Sequence, residues 1–477
     1  MTVNNSRKTK IVATVGPASN SQQNLEELIL AGVNVFRLNF SHGNHKQHLD
    51  AINNIQTLNK KLKTNIGILA DLQGPKLRVG IIQDNAIMLK ENDYIKVSSE
   101  DVIGNNKIIS VSYANLAQDI KVNESILIDD GKIELCVTKI INKNTIECKV
   151  ICGGILSSKK GFNLPETQIS IPSLTEKDLE DVAFLVEHQV DWIALSFVRK
   201  ASDITELKAY LNERNATAKI IAKIEKPEAI TELENIILAS DAVMIARGDL
   251  AVEVPMEEMP IIQKNIIEKC IYHAKPVIIA TQVMESMIEI PRPTRAEITD
   301  VANGVFDGAD AIMLSAETSV GKFPVKVIQT MDKIIRKTEE QHKIYFKNLL
   351  PKKASPSFLS DAICYNACSI AEDVEAKALL GMSYSGYTAF MLASYRPKSN
   401  IYIFTSNQNL INQLSLVWGV ETFFYDNFET TDKSIRDIIA LLKSKHKLNV
   451  NDIVINTASM PIKGRGRTNM IKISVVD

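Results

Sequence analysis

The sequence predicts an α/β protein in three parts: a (β/α)8 TIM barrel, a small β-barrel domain inserted into it, and a C-terminal doubly wound α/β domain. Three observations carry that expectation. Eight short β-branched runs alternate with amphipathic stretches between residues 11 and 338. The alternation breaks once, over 75–163, into short segments separated by turn dipeptides. A stretch with two prolines and little apolar content, 349–357, precedes a second αβ pattern.

The runs are 11–15, 33–39, 66–71, 192–197, 219–224, 242–246, 276–281 and 311–315. Helical periodicity follows most of them, at 22–31, 45–63, 203–213, 227–238, 257–274, 294–306 and 325–338. Strands alternating with helices lie parallel and are joined by crossovers. Eight such units close into a barrel. Within the break, turns at Asp84-Asn85, 103–106, 129–131 and 142–144 mark an all-β insertion in a barrel loop. Thr175 then caps the helix before the fourth strand. The barrel is expected over 1–74 and 166–348, the insertion over 75–165, and the last domain over 355–477. That domain reads as a helix at 361–373, strands at 378–382, 401–405, 421–425 and 453–457, and a final strand at 471–475.

Bulk properties exclude several classes. Lys and Arg number 55 against 56 Asp and Glu, so total charge directs the chain neither to nucleic acid nor to a membrane. No apolar run approaches the ~20 residues of a membrane helix. Residues 1–10 are polar and basic, with no signal-peptide core behind them, so a cytoplasmic location is expected. The six cysteines form no CxxC pair and read as reduced thiols.

In a βα barrel the C-terminal strand ends build the site. The second strand ends in Arg37, Asn39 and Ser41, the third in Asp71, and the fifth in Lys223 and Glu225. The sixth leads into Gly248 and Asp249, the seventh ends at Thr281, and the eighth leads into Ser315 and Glu317. Side chains at i and i+2 share a strand face, so Arg37 with Asn39, and Lys223 with Glu225, can face the mouth together. Any one of these is readable as a structural ion pair or a cap. Polar groups at six strand ends, buried without a ligand, would be costly. Glu225 and Asp249 suit Mg²⁺ or Mn²⁺. Arg37, Arg78 and Lys223 suit phosphate oxygens and developing negative charge. No nucleophilic Ser–His pair and no GxxxxGK[ST] loop is apparent, and phosphoryl transfer by positioning and cations fits that set.

The motifs resemble those of pyruvate kinases over nearly the whole chain. RLNFSHG (37–43), ADLQGPKLR (70–78), KKGFNLP (159–165), AKIEKPEA (222–229), ARGDLAVE (246–253), ATQVMESM (280–287) and PRPTRAE (291–297) appear in the family's order. The resemblance implies phosphoryl transfer from phosphoenolpyruvate to ADP, giving pyruvate and ATP. It implies Mg²⁺ on Glu225 and Asp249, phosphate binding by Arg37, and charge stabilisation by Lys223. Gly248, Asp249 and Thr281 would hold the substrate carboxylate, with Thr281, Ser315 and Glu317 on the proton path. Asn39, Arg78 and Lys160 would serve the nucleotide, and the inserted domain would act as a lid. The family is typically tetrameric, which implies a homotetramer here.

Two further expectations follow from the same resemblance. The family's K⁺ ligands match Asn39, Ser41, Asp71 and the Leu72 carbonyl, but Lys76 stands where K⁺-requiring members carry an acid. Its ammonium can place a charge where K⁺ otherwise sits, so activity without K⁺ is expected. In the last domain, Ser383, Ser385, Gly386 and Thr388 open a helix after a strand and match the family's effector loop. Such a loop can cradle the phosphate of a sugar phosphate or AMP, with the basic loop 463–467 closing over it. A structural helix cap is the alternative for that loop. An enolate-forming aldolase or mutase, or a catalytically silent metabolite sensor, are the competing readings of the chain. His42, His45 and His48 lack the i, i+4 spacing of a helical metal pair and are read as solvated or capping.

Overall fold

The computed structural model describes residues 7–345, 349–353, 355–462 and 466–477. Eight parallel strands close into the expected barrel. They are Lys10–Thr14, Val35–Asn39, Gly67–Asp71, Trp192–Leu195, Lys219–Ile224, Ala242–Ala246, Val277–Ala280 and Ala311–Leu314. Strand period explains how this barrel carries both a core and a site. Val12, Val35, Leu69, Ala194, Ile221 and Met313 belong to one buried cluster. Two residues further along the same strands stand Thr14, Arg37, Asp71, Ser196, Lys223 and Ser315. The face that is apolar at the bottom turns polar at the top, because alternate residues share a side. The opposite face of each strand packs on the helices, in a larger cluster that includes Ile11, Phe36, Ile68, Ile193 and Ile245.

Local signals fix the helices. Gln22–Ala31 is capped by Ser21, whose side chain accepts from Asn24 N, and ends at Gly32 with φ 121°. Thr175 caps Glu176–Glu187 through a reciprocal box with Asp178. Three details differ from expectation. The helix expected over 227–238 is two, Pro227–Thr231 and Leu233–Ala239, broken at Glu232 with φ −91° and ψ 12°. The helix expected from 257 begins at Met259, where Pro260 fits the first turn, after a 3₁₀ turn at Met256–Glu258. The ARGDLAVE segment, expected only as a strand exit, is a helix, Arg247–Glu253.

The insertion has its own core, with Val79, Ile95, Leu135 and Phe162 among its buried residues. Its strands form a six-stranded sheet, from Phe162–Asn163 at one edge to Ile108–Ser110 at the other, and a separate ribbon of Ala86–Leu89 with Gly154–Ser157. Isolated bridges such as Arg78 to Gly161 and Val79 to Val111 tie these pieces together.

The last domain is a five-stranded sheet, parallel except for the antiparallel edge Met470–Val475. It docks under the barrel. Leu416 joins the barrel's interior cluster. Arg396 bonds Asp310 at 2.8 Å and the Gly308 carbonyl at 2.7 Å, and Asp310 also accepts from Trp418 N.

Candidate active site

The barrel mouth is organised by Asp71, which is fully buried. Arg37 holds one of its oxygens through Nε at 2.7 Å, and Lys223 Nζ lies 3.1 Å from the other. Burial alone would raise the Asp71 carboxyl, but Lys223 and Arg37 outweigh it and hold it below the usual range. Arg37 also donates to Thr14 Oγ1. The register places these groups together: Thr14 pairs with Arg37 and Asn39 with Asp71 across neighbouring strands.

Lys223 is the centre of the charge network. It lies 2.9 Å from Glu225 Oε1 and donates to Ser196 Oγ at 2.7 Å, which in turn donates to the Leu72 carbonyl. Burial works against its charge, yet Asp71, Glu225 and Asp249 together hold its pKa well above the ordinary lysine value. Glu225 accepts from Phe197 N at 2.8 Å. Its carboxyl is pushed up by burial and by the Asp249 charge, against the pull of Lys223. Glu225 and Asp249, two carboxylates close enough for the charge of Asp249 to push up Glu225, offer the donor set and the negative charge that a divalent cation fits.

Asp249 sits in the first turn of Arg247–Glu253, beside Gly248, whose N–H donates to Thr281 Oγ1 at 2.7 Å. A side chain at Gly248 would stand 3.2 Å from that hydroxyl oxygen. Thr281 and Gln282 hold left-handed backbone, φ 65° and 52°. For a β-branched residue that is strain that surrounding structure must hold in place. Arg247 does so: it donates to the Thr281 and Gln282 carbonyls and forks onto Asp300 with two 2.7 Å bonds. Glu317 accepts from Met284 N and Ser315 N, and burial raises its carboxyl despite those bonds. Ser315 Oγ is buried with no partner among the described residues.

The other expected groups have partners outside the Lys223 network or at its edge. Arg78 donates to the Lys159 carbonyl and Lys160 pairs with Asp129, both within the insertion. Asn39 accepts from Ser41 N on the rim. Lys76, expected beside Asn39, Ser41, Asp71 and Leu72, has its ion pair with Asp249 Oδ1 at 3.4 Å. Arg247, Asp300, Ser196, Lys226 and Glu253 escaped the sequence reading. Arg247 alone had a signal, as a cation beside Gly248. His45 bonds Asp181 and stacks on Phe184, while His48 stacks on Phe40.

In the last domain, Ser383, Ser385, Tyr387, Thr388 and Arg467 line a cavity of about 580 Å³. Gly386 holds φ 87° and donates to Ser383 Oγ, and Thr388 bonds Thr468 at 2.7 Å. Tyr387 OH pairs with Asp361. Of the basic loop 463–467, residues 463–465 lie outside the described residues.

Cations and carboxylates gathered at the C-terminal end of a (β/α)8 barrel, with no hydroxyl–histidine pair among the described residues of the mouth, are the groups a phosphotransferase uses. The chain belongs to the pyruvate kinase family, the glycolytic phosphotransferases that act on phosphoenolpyruvate and ADP. The family model described as the pyruvate kinase barrel domain matches residues 6–328, and that of its alpha/beta domain matches 361–474. The chain is 42% identical to the pyruvate kinase of Corynebacterium glutamicum, over 98% of each chain. It is also 42% identical to those of Sporosarcina psychrophila and Geobacillus stearothermophilus, over 98% of this chain and 80% of theirs. The crystal structure of a pyruvate kinase from Cryptosporidium parvum superposes with a TM-score of 0.93 at 33% identity, covering 99% of this chain and 97% of that one. No helix among the described residues is long and apolar enough to cross a membrane.

Proposed function

We propose that this site transfers the phosphoryl group of phosphoenolpyruvate to ADP with Mg²⁺ held by Glu225 and Asp249. The observation that carries the reading is the Lys223–Asp71–Arg37 network beside Glu225, whose carboxyl is pushed up by burial and by the Asp249 charge. Arg37 and Lys223 bind the phosphoryl oxygens, and Lys223 keeps its proton while charge builds on the enolate. Gly248, Asp249 and Thr281 orient the substrate carboxylate. When bound, the metal supplies positive charge to phosphate and carboxylate oxygens. Thr281, the Ser315 hydroxyl, which has no partner among the described residues, and the Glu317 carboxyl, raised by burial, form the proton relay toward the enolate carbon. Asn39, Arg78 and Lys160 serve the nucleotide, the last two once the inserted domain swings over the mouth as a lid.

Lys76 brings a fixed cation into the mouth, 3.4 Å from Asp249, and that added positive charge is the ground for proposing that K⁺ is dispensable. The cavity beside Ser383, Ser385, Gly386 and Thr388 takes a phosphorylated effector, a sugar phosphate or AMP. The working state is a homotetramer, in keeping with exposed Met256 and Ile261 at 79% and 71%. Six free cysteines suit a cytoplasmic location.

One assay tests the core of this reading: pyruvate release from phosphoenolpyruvate and ADP, with Mg²⁺, with and without K⁺ at matched ionic strength. Near-equal rates are expected. A large loss without K⁺ refutes the role of Lys76, and absence of ADP-dependent pyruvate refutes the reaction itself.

A further inference from the structure

Glu253 closes the helix that carries Gly248 and Asp249 in its first turn. Its side chain is buried. One oxygen, Oε1, takes two donors at once: Lys226 Nζ at 2.7 Å and Asn163 Nδ2 at 2.7 Å. The other, Oε2, is buried with no partner among the described residues. Lys226 directly follows Glu225 and is buried as well. Asn163 belongs to the inserted domain, in the edge strand Phe162–Asn163. Three pieces of chain therefore meet on one carboxylate: the lid, the strand end bearing Glu225, and the helix bearing Asp249. A crevice of about 30 Å³, bounded among others by Lys76, Asn163, Lys226, Asp249 and Glu253, runs beside it. That is room for a water or for a small movement of the lid.

A buried ion pair that merely fastens the helix would account for Lys226 and Glu253 alone. It does not account for the rest. A carboxylate at a helix C-terminus opposes the helix dipole. An unpartnered buried oxygen is destabilising. A contact reaching across from another domain is not needed to hold the helix. We infer that Glu253 is a positioning residue that couples the position of the lid to the spacing of Glu225 and Asp249. Through Lys226 and its own helix it sets where those two carboxylates stand. Through Asn163 it makes that placement depend on the lid. The inference rests on the reading of Glu225 and Asp249 as metal ligands, and groups that orient ligands commonly change metal affinity about 10–100-fold when lost.

The test is direct Mn²⁺ binding to the full-length protein, followed as loss of the free-ion electron paramagnetic resonance signal, without substrates. Glu253→Gln is expected to weaken Mn²⁺ about 10-fold. Asn163→Ala, distant in sequence from both ligands, is expected to weaken it by ~3-fold or more. Asn163→Ala combined with Glu253→Ala should be no weaker than Glu253→Ala alone, since both changes remove one shared contact. Lys226→Arg, which keeps a cation on Glu253, should retain most of the affinity, whereas Lys226→Met should not. Unchanged Mn²⁺ affinity in Asn163→Ala, or losses that simply add, overturns the inference. Glu225→Gln separates the two claims. If it loses Mn²⁺ while Asn163→Ala does not, only the coupling falls; if it keeps full affinity, the ligand assignment falls and the coupling with it. Should Glu253→Gln fail to fold, Asn163→Ala still decides.

Discussion

Lys223 stands among Asp71, Glu225 and Asp249, with Arg37 as the opposing cation. Three carboxylates against burial and one guanidinium leave it charged throughout the working pH range. A lysine so held suits the fixed positive pole proposed for it and not a base. Lys223→Met keeps the length of the stem and removes the pole. Turnover should fall by at least ~10²-fold, read as kcat for pyruvate formation, and near-normal turnover would refute the role. At this scale the sequence was legible where strand period placed residues. Arg37, Asp71, Lys223 and Glu225 each lie on an inward position of a recognisable run, and geometry then brought them within 3.1 Å of a partner. Residues that act through a distant partner were not legible. Arg247 meets Asp300 from 53 positions away, and Glu253 meets Asn163 from 90. No local periodicity records such a meeting.

The strap from the inserted domain back to the barrel shows how one side chain can hold an element. Arg199 reaches from the loop after the fourth barrel strand and donates to the carbonyls of Ile169 and Ile171. Ser173 on the same strap bonds Asp203 and the Phe197 carbonyl. These residues lie beside Phe197, whose N–H holds Glu225, so the strap is anchored where the site is built. Arg199→Ala leaves two carbonyls to water and frees the strap. Limited proteolysis within 166–173 should accelerate several-fold, roughly as one or two lost charged hydrogen bonds allow, while the main thermal transition stays nearly in place. An unchanged cleavage rate would mean Ser173 and the flanking chain suffice. The elements were legible in proportion to their local chemistry. Ser21, Gly32 and Thr175 announce helix ends, whereas the break at Glu232 and the helix Arg247–Glu253 carry no cap hydrogen bond from a side chain. Their ends are set by packing on neighbouring strands, which a single sequence does not display.

Across the whole molecule, the last domain meets the barrel through charge taken out of water. Arg396 and Asp310 are buried together. Lys8 Nζ donates to the Ser399 carbonyl and Asn400, and Lys10 Nζ to the Val420 carbonyl, so the barrel's first strand is hydrogen-bonded into the other domain. Burial brings Lys8 down to about 7, with Glu339 resisting and Lys10 assisting. Burial brings Lys10 to about 8, with Arg7 assisting and Glu421, Glu339 and Asp310 resisting. The consequence has a definite sign. Unfolded lysines keep their protons to about pH 10.4, so between pH 7 and that value the unfolded chain binds more protons than the folded one. Stability contributed by this interface must then rise with pH across the window, on the order of a few kcal/mol in all. Lys8→Met removes one of the two titrations without leaving an unpaired charge. The melting temperature of the parent minus that of Lys8→Met should therefore climb between pH 7 and 10 at constant ionic strength. A difference that stays flat would mean Lys8 keeps its proton in the folded protein. A falling difference would mean that Glu339 and its neighbours hold that proton more tightly than water does.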